Sequence, residues 1–307
     1  MHKYILRVKI DLGSGKMIRK ELDKKNEKYL EEQKKEITEE YYYEKEKIRM
    51  EYLKELRELK DEYNLRMVEI DNPLKLEKYK NKLEKKNENR IKNEAPKRRV
   101  IEEIGNSITH GVGALVAILL LILMIVNSNT NVKLISGIIY GSCMIMQMAF
   151  SSMYHAFKYG SRVKRIFRRF DYSSIYLLLG GTFTPLYLIF MHNTWPTLSI
   201  VLFIIMWILI IFGLTMVAIF GPGRLRFLHY FLFFGIGWAG VIFIPLFLKT
   251  DIRFLLWILG GGLAYTLGMI PFALFSKKNT AHFIWHFMSM AGTILQWVGI
   301  FLFIYLK

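Results

Sequence analysis

The chain has 307 residues, a formal net charge of +17 and 52% hydrophobic composition, room for about two domains by length alone. A single cysteine, Cys143, lies in an apolar run, which excludes an internal disulfide framework and a thiolate metal cluster. The averages conceal two unlike parts. Residues 1–100 are dense in Lys and Glu; from residue 104 onward Leu, Ile, Phe, Gly and Met dominate, with Asp171 and Asp251 as the acidic residues. The natural division is a solvated, charged extension over 1–97 and a membrane-embedded domain over 98–307.

MHKYILRVKI at the start reads as a short strand, and MHKYILRVKIDL lacks the long apolar core and small-residue cleavage site of a signal peptide. Neither removal nor export of the N-terminus is expected. GSGK at 13–16 is too short and wrongly placed for a phosphate-binding loop. Beyond it, Tyr52, Leu56, Leu59, Tyr63 and Ile70 recur mostly at 3- and 4-residue steps among Glu/Lys pairs suited to i,i+4 contacts. That pattern predicts a helix. DNP at 71–73 breaks it, and a second helix is expected over 74–92. The thin, tyrosine-rich seam suits a coiled-coil or partner-binding arm and a merely solvated charged helix equally well.

A membrane-spanning helix needs about 20 mainly apolar residues. Seven segments qualify: 106–126, 134–156, 171–190, 197–219, 226–248, 252–274 and 282–305. The expected fold is therefore all-α, a seven-helix transmembrane bundle carrying a charged helical extension. Basic residues set the orientation. APKRR precedes the first span, KYGSRVKRIFRR between spans 2 and 3 carries six Lys or Arg, and GPGRLR and SKKN carry two each. The alternate connections are poorer in net positive charge: NSNTNVK has one basic residue, MHNTWP none, and LKTDIR two offset by an Asp. This places the N-terminus in the cytosol and the C-terminus outside.

Topology then sorts the polar residues. Span 2 ends in SSMYHAF, span 3 begins at RRFDYSS, and span 7 begins at AHFIWHF. Ser151, His155, Asp171, His282 and His286 thus converge near one membrane level, provided that span 7 closes beside spans 2 and 3. Ser151 and His155, like His282 and His286, are four apart and share a helix face. Ionisable groups at such depth are costly unless used. Zinc suits this set: it commonly takes three protein ligands with a fourth position for water, whose pKa it lowers toward about 7. His155, His282 and His286 are the expected ligands. Asp171 is a candidate ligand or general base, or a salt-bridge partner of Arg168 or Arg169, and Ser151 a hydrogen-bond donor to the water or to Asp171. A haem pocket fits the three histidines less well, and a di-iron desaturase needs more histidines than the seven present.

In span 1, Glu103, Asn106 and His110 lie at 3- and 4-residue steps, either a structural hydrogen-bonded cluster or support behind the metal ligands. His192 and His229 read as ordinary interfacial residues. Gly180, Gly181, Pro185 and the glycines at 260–262 suit close helix packing or kinks.

EEIGNSITHGVG, SSMYHAF, RRFDYSSIYLLLGGTFTPLYL and AHFIWHFMSMAG resemble the successive signatures of hemolysin III proteins. These are bacterial members of the progestin and adipoQ receptor family, within a wider superfamily of proposed membrane hydrolases that includes alkaline ceramidases. The resemblance covers residues 98–307. It implies seven spans with a cytosolic N-terminus, His155, His282 and His286 as zinc ligands, Asp171 near the zinc water, and Ser151 as the serine of an SxxxH motif. The expected function is metal-dependent hydrolysis of lipid amides at the cytosolic leaflet of the bacterial plasma membrane. A receptor-like sensor of membrane state with structural zinc, and a membrane-damaging cytolysin as the family name suggests, are the alternatives. Expected partners are membrane lipids and, through the N-terminal helices, a cytosolic protein or a second copy; nucleic acid is not among them. The charged arm departs from the short N-termini usual in bacterial members.

Overall fold

The computed structural model describes residues 15–93, 100–274 and 279–307. The strand expected at 1–10 and the APKRR segment lie outside the described residues. Every element in the described residues is helical. The chain divides into two units, residues 1–83 and 84–307.

In the first unit, α1 (Gly15–Asp71) runs for 57 residues, about 85 Å at 1.5 Å per residue. Arg66 pairs with Glu62 at 2.8 Å and Lys54 with Glu58 at 3.9 Å, both one turn apart. Tyr52, Leu56, Leu59, Tyr63 and Ile70 are exposed. The helix ends where Asn72 turns to ψ 81° ahead of Pro73, because proline crowds the residue before it out of the helical region. A 3-10 turn (Pro73–Lys75) leads into α2 (Leu76–Lys92), at the expected position.

In the second unit seven helices are long and apolar enough to cross a membrane, and the protein is an integral membrane protein. They are α3 (Val100–Val126), α4 (Asn131–Ala156), α5 (Arg162–Pro185) with a π turn to Met191, α6 (Pro196–Phe220), α7 (Arg226–Trp238) continued by α8 (Ile244–Thr250), α9 (Ile252–Leu274), and α10 (Asn279–Ile300) with a π turn to Tyr305. α4 lies between α3 and α5, α9 pairs with α10, and α10 closes back onto α3. The expected closure of span 7 beside spans 2 and 3 is present as well: α10 touches α5, and His282 meets His155 of α4. α3 buries Asn106, His110, Gly113, Ala117 and Met124, one stripe at helical spacing.

α3 and α4 begin a few residues earlier than expected, at Val100 and Asn131, and two differences are larger. α5 begins at Arg162 rather than 171, because Ser161 caps it by accepting a hydrogen bond from the Lys164 backbone N–H at 3.1 Å. The fifth span is broken by a 3-10 segment (Ala239–Phe243) ahead of Pro245. Close packing at glycine is as expected at Gly181, where a Cβ would lie 2.7 Å from Cys143 Cβ. At the basic end of the bundle, Asn93 accepts from Gly223 N at 2.9 Å and donates to Phe220 O at 2.8 Å. Gly221 between them takes φ +74°, open to glycine without strain.

Candidate metal centre

The last turns of α4 bring Ser151 and His155 inward, 1% and 2% exposed; the first turns of α10 bring His282 and His286, 5% and 3% exposed. Antiparallel packing puts the two pairs at one level. His155 Nε2 lies 3.1 Å from His282 Nε2, which lies 2.8 Å from His286 Nε2. One ligand atom from each of the three histidines falls within 4.8 Å of the others.

The outer ring nitrogens explain which way these rings face. His155 Nδ1 is 2.7 Å from Glu103 Oε2. An ionised carboxylate only accepts, so Nδ1 carries the proton and Nε2 turns its lone pair inward. His286 Nδ1 is 2.8 Å from His110 Nε2; with Nδ1 donating there, His286 Nε2 also presents a lone pair inward. Lone pairs facing one another at such range repel unless a proton or cation lies between them. Carboxylate-backed imidazole is a common arrangement behind metal-ligating histidines, and neutral nitrogen donors suit several first-row divalent metals. The cluster could hold a metal ion.

Glu103 has a second partner that the sequence did not reveal. Lys164, 1% exposed, donates to Glu103 Oε2 at 2.8 Å and to the carbonyls of Tyr154 and Phe157 at 3.0 Å each. Its ammonium also lies 4.7 Å from the Tyr154 ring centroid. A buried ammonium needs such a full set of acceptors. Lys164 therefore ties the start of α5 to the end of α4 and holds the carboxylate against His155.

The remaining expected residues distribute as follows. Asp171 is half-buried near the start of α5 and lies outside the set of mutually close ligand atoms. Arg168 and Arg169 each direct a guanidinium nitrogen to a backbone carbonyl, of Asn93 and Ala218, at 2.7 Å. The Ser151 hydroxyl makes no hydrogen bond to Asp171 or to any other described residue. Asn106 is buried on the same stripe of α3 as His110, and its Oδ1 has no hydrogen-bond partner among the described residues. Of the three span 1 residues, Glu103 and His110 touch histidines of the cluster directly. His192 is exposed and meets Ser199 Oγ at 3.1 Å, in keeping with an interfacial role. His229, in the first turn of α7, is fully buried rather than solvated, with Nδ1 2.8 Å from the Tyr176 hydroxyl. The phenol supplies the partner that the sequence neighbourhood of His229 lacks.

The comparisons with known proteins cover this half of the chain. Residues 98–297 match the family model described as "Haemolysin-III related". The chain is 32% identical over 203 residues to "Hemolysin-3" of Bacillus cereus, covering 64% of this chain and 89% of that protein. It is 31% identical over 196 residues to "Hemolysin-3 homolog" of Bacillus subtilis (strain 168), covering 62% and 89%. With its seven spans and the match over most of them, the chain belongs to the haemolysin-III-related family.

Proposed function

We propose that the chain is a zinc-dependent hydrolase of lipid amides of the ceramide type, drawing substrate from the inner leaflet of the bacterial plasma membrane. The observation that carries this reading is the convergence of three imidazole Nε2 atoms, two of whose rings are held from behind by Glu103 and His110. Zinc with three protein nitrogens and an open fourth position activates water and polarises a carbonyl. Glu103 keeps the proton on His155 Nδ1 and fixes the ring; His110 does the same for His286. Asp171, half-buried on the neighbouring helix, serves as the general base that takes a proton from the attacking water and returns it to the departing amine. Ser151, one turn from His155, orients that water with its buried hydroxyl.

Arg162, Arg165, Arg168, Arg169, Arg224 and Arg226 lie at or near the span ends on the histidine side. Such a bias supports a cytosolic location for that end, with the N-terminus inside and the C-terminus outside. The test is hydrolysis by purified, zinc-loaded protein of a panel of ceramide-like amides and ester lipids. The expected result is amide turnover that His155→Ala abolishes. Full zinc occupancy with no turnover of any amide or ester would overturn the reading.

A further inference from the structure

One face of α4 carries buried polar side chains at intervals along the span, interrupted by Cys143 and Met144 between Tyr140 and Gln147. Ser136, Tyr140, Gln147, Ser151 and His155 follow one another in steps of one or two turns, and each is at most 3% exposed. From Ser136 to His155 the rise is about 28 Å, close to the roughly 30 Å hydrocarbon thickness of a bilayer. Ser136 Oγ, Gln147 Oε1 and Ser151 Oγ have no hydrogen-bond partner among the described residues. The Tyr140 hydroxyl has Thr182 as a neighbour without a hydrogen bond of good geometry; Thr182 Oγ1 donates to Leu178 O at 2.8 Å and keeps its lone pairs as acceptors.

Facing helices continue the row. α4 and α10 are antiparallel and meet at the histidines, so counting residues from there sets Ser289 level with Ser151 and Thr293 level with Gln147. Ser289 and Thr293 are 2% and 3% exposed. Thr293 Oγ1 donates to Ser289 O at 2.9 Å and so accepts from the Tyr265 hydroxyl at 2.7 Å. Tyr265 also lies in electrostatic range of Tyr140. At the far end the Tyr305 hydroxyl donates to Lys133 O at 2.8 Å and lies 3.0 Å from where a Cβ on Gly137 would sit, next to Ser136. At the histidine end, Asn106 Oδ1 and His110 Nδ1 add two more buried polar atoms without partners among the described residues.

A buried polar atom inside a bilayer must be satisfied within the protein or by water held there. A single exception is tolerable. A row of them on one helix face, reaching from the histidines to the opposite end of the bundle, is a pattern that bound water explains and side-chain packing does not. We propose that this face of α4 holds a file of bound water connecting the histidine cluster to the far end of the bundle. Gln147 and Ser151 bind the waters nearest the histidines, Tyr140 and Tyr265 carry the file past the middle of the span, and Ser136 marks its far mouth. Under the hydrolase reading, on which this last clause rests, water and protons reach the site along α4 while lipid enters from the side. The file itself depends neither on the identity of the metal nor on turnover.

Radiolytic hydroxyl labelling of the full-length protein tests this, because short X-ray pulses split water held inside a protein and modify the side chains beside it. Tyr140 is expected to be labelled about ten-fold faster than Phe243 and Phe254, since buried water lies beside the first ring alone; all three rings are 0% exposed. Gln147→Leu removes an acceptor from the row, and it is expected to slow labelling of Tyr140 while the Phe controls and the melting temperature stay as in wild type. Labelling of Tyr140 no faster than that of the two Phe controls would overturn the proposal. So would unchanged Tyr140 labelling in a folded Gln147→Leu protein. The labelling reads neither metal content nor turnover, so its failure is distinguishable from failure of the hydrolase reading.

Discussion

Between α3, α4 and α10, four imidazoles and a carboxylate share one buried polar site; between α5 and α7, His229 is as deeply buried with Tyr176 as its hydrogen-bond partner. Burial is the same in both places, and the chemistry is not. In the first, ring nitrogens point at one another and the outer nitrogens of His155 and His286 are anchored, an arrangement that suits a cation. In the second, a phenol meets one nitrogen, and Gly213 of α6 makes room for the Tyr176 ring. His229 is thereby a packing element with one hydrogen bond. A buried histidine in a membrane bundle does not by itself mark a candidate metal site; three convergent ring nitrogens do.

Four substitutions sharpen that contrast. The largest effect is expected from Lys164→Met, which removes a buried cation and leaves Glu103 and two carbonyls short of a donor. Breaking one side of such a pair costs about 3–5 kcal/mol, readable as a large drop in melting temperature accompanied by loss of metal. Glu103→Gln should fold and lower metal affinity about 10- to 100-fold, as removal of a group hydrogen-bonded to a metal-ligating histidine typically does; a competition titration with a chelator reads this directly. His229→Phe should leave metal affinity unchanged and cost about 1–3 kcal/mol, because it leaves the buried Tyr176 hydroxyl without its partner. If it instead depleted the metal, the two histidine groups would be coupled and the contrast would fail. The smallest effect belongs to Asp251→Asn. Hydrogen bonds from Arg253 hold the Asp251 carboxylate at a pKa of about 2. A depressed carboxylate pKa stabilises the fold above the unfolded value and loses that contribution as pH falls through about 2. At neutral pH the contribution is fully present, but it comes from a surface pair of little worth, so the melting curve should barely move.

Much of this was legible in the sequence, and the exceptions have physical reasons. The seven spans follow from apolar length, and the histidines from their helical spacing together with a topology that brings three chain segments to one level. Glu103 and His110 were legible as one face of span 1, but the sequence left open whether they served packing or the metal site; only the 2.7 and 2.8 Å contacts to His155 and His286 distinguish them. Lys164 was hidden because it sits in a run of six basic residues, where charge signals a solvated connection. Its burial depends on Ser161 starting α5 nine residues earlier than the apolar run suggests. The Ser161-x-x-Lys164 capping geometry was the available signal. The burial of His229 was not legible because its partner, Tyr176, lies 53 residues away in the chain. The polar row on α4 was visible only in part. Ser151 and His155 stood out, yet Ser136, Tyr140 and Gln147 are each unexceptional until burial places them on one unsatisfied face.

The central claim is that the three convergent imidazoles bind zinc, and metal analysis of the full-length protein purified in detergent tests it most directly. Wild type is expected to carry close to one zinc per chain, retained at neutral pH and released on acidification as protons compete for the imidazole nitrogens. The His282→Ala/His286→Ala protein is expected to carry none while His229→Phe retains it. Wild-type protein free of metal, or zinc retained in full by the double variant, would contradict the account.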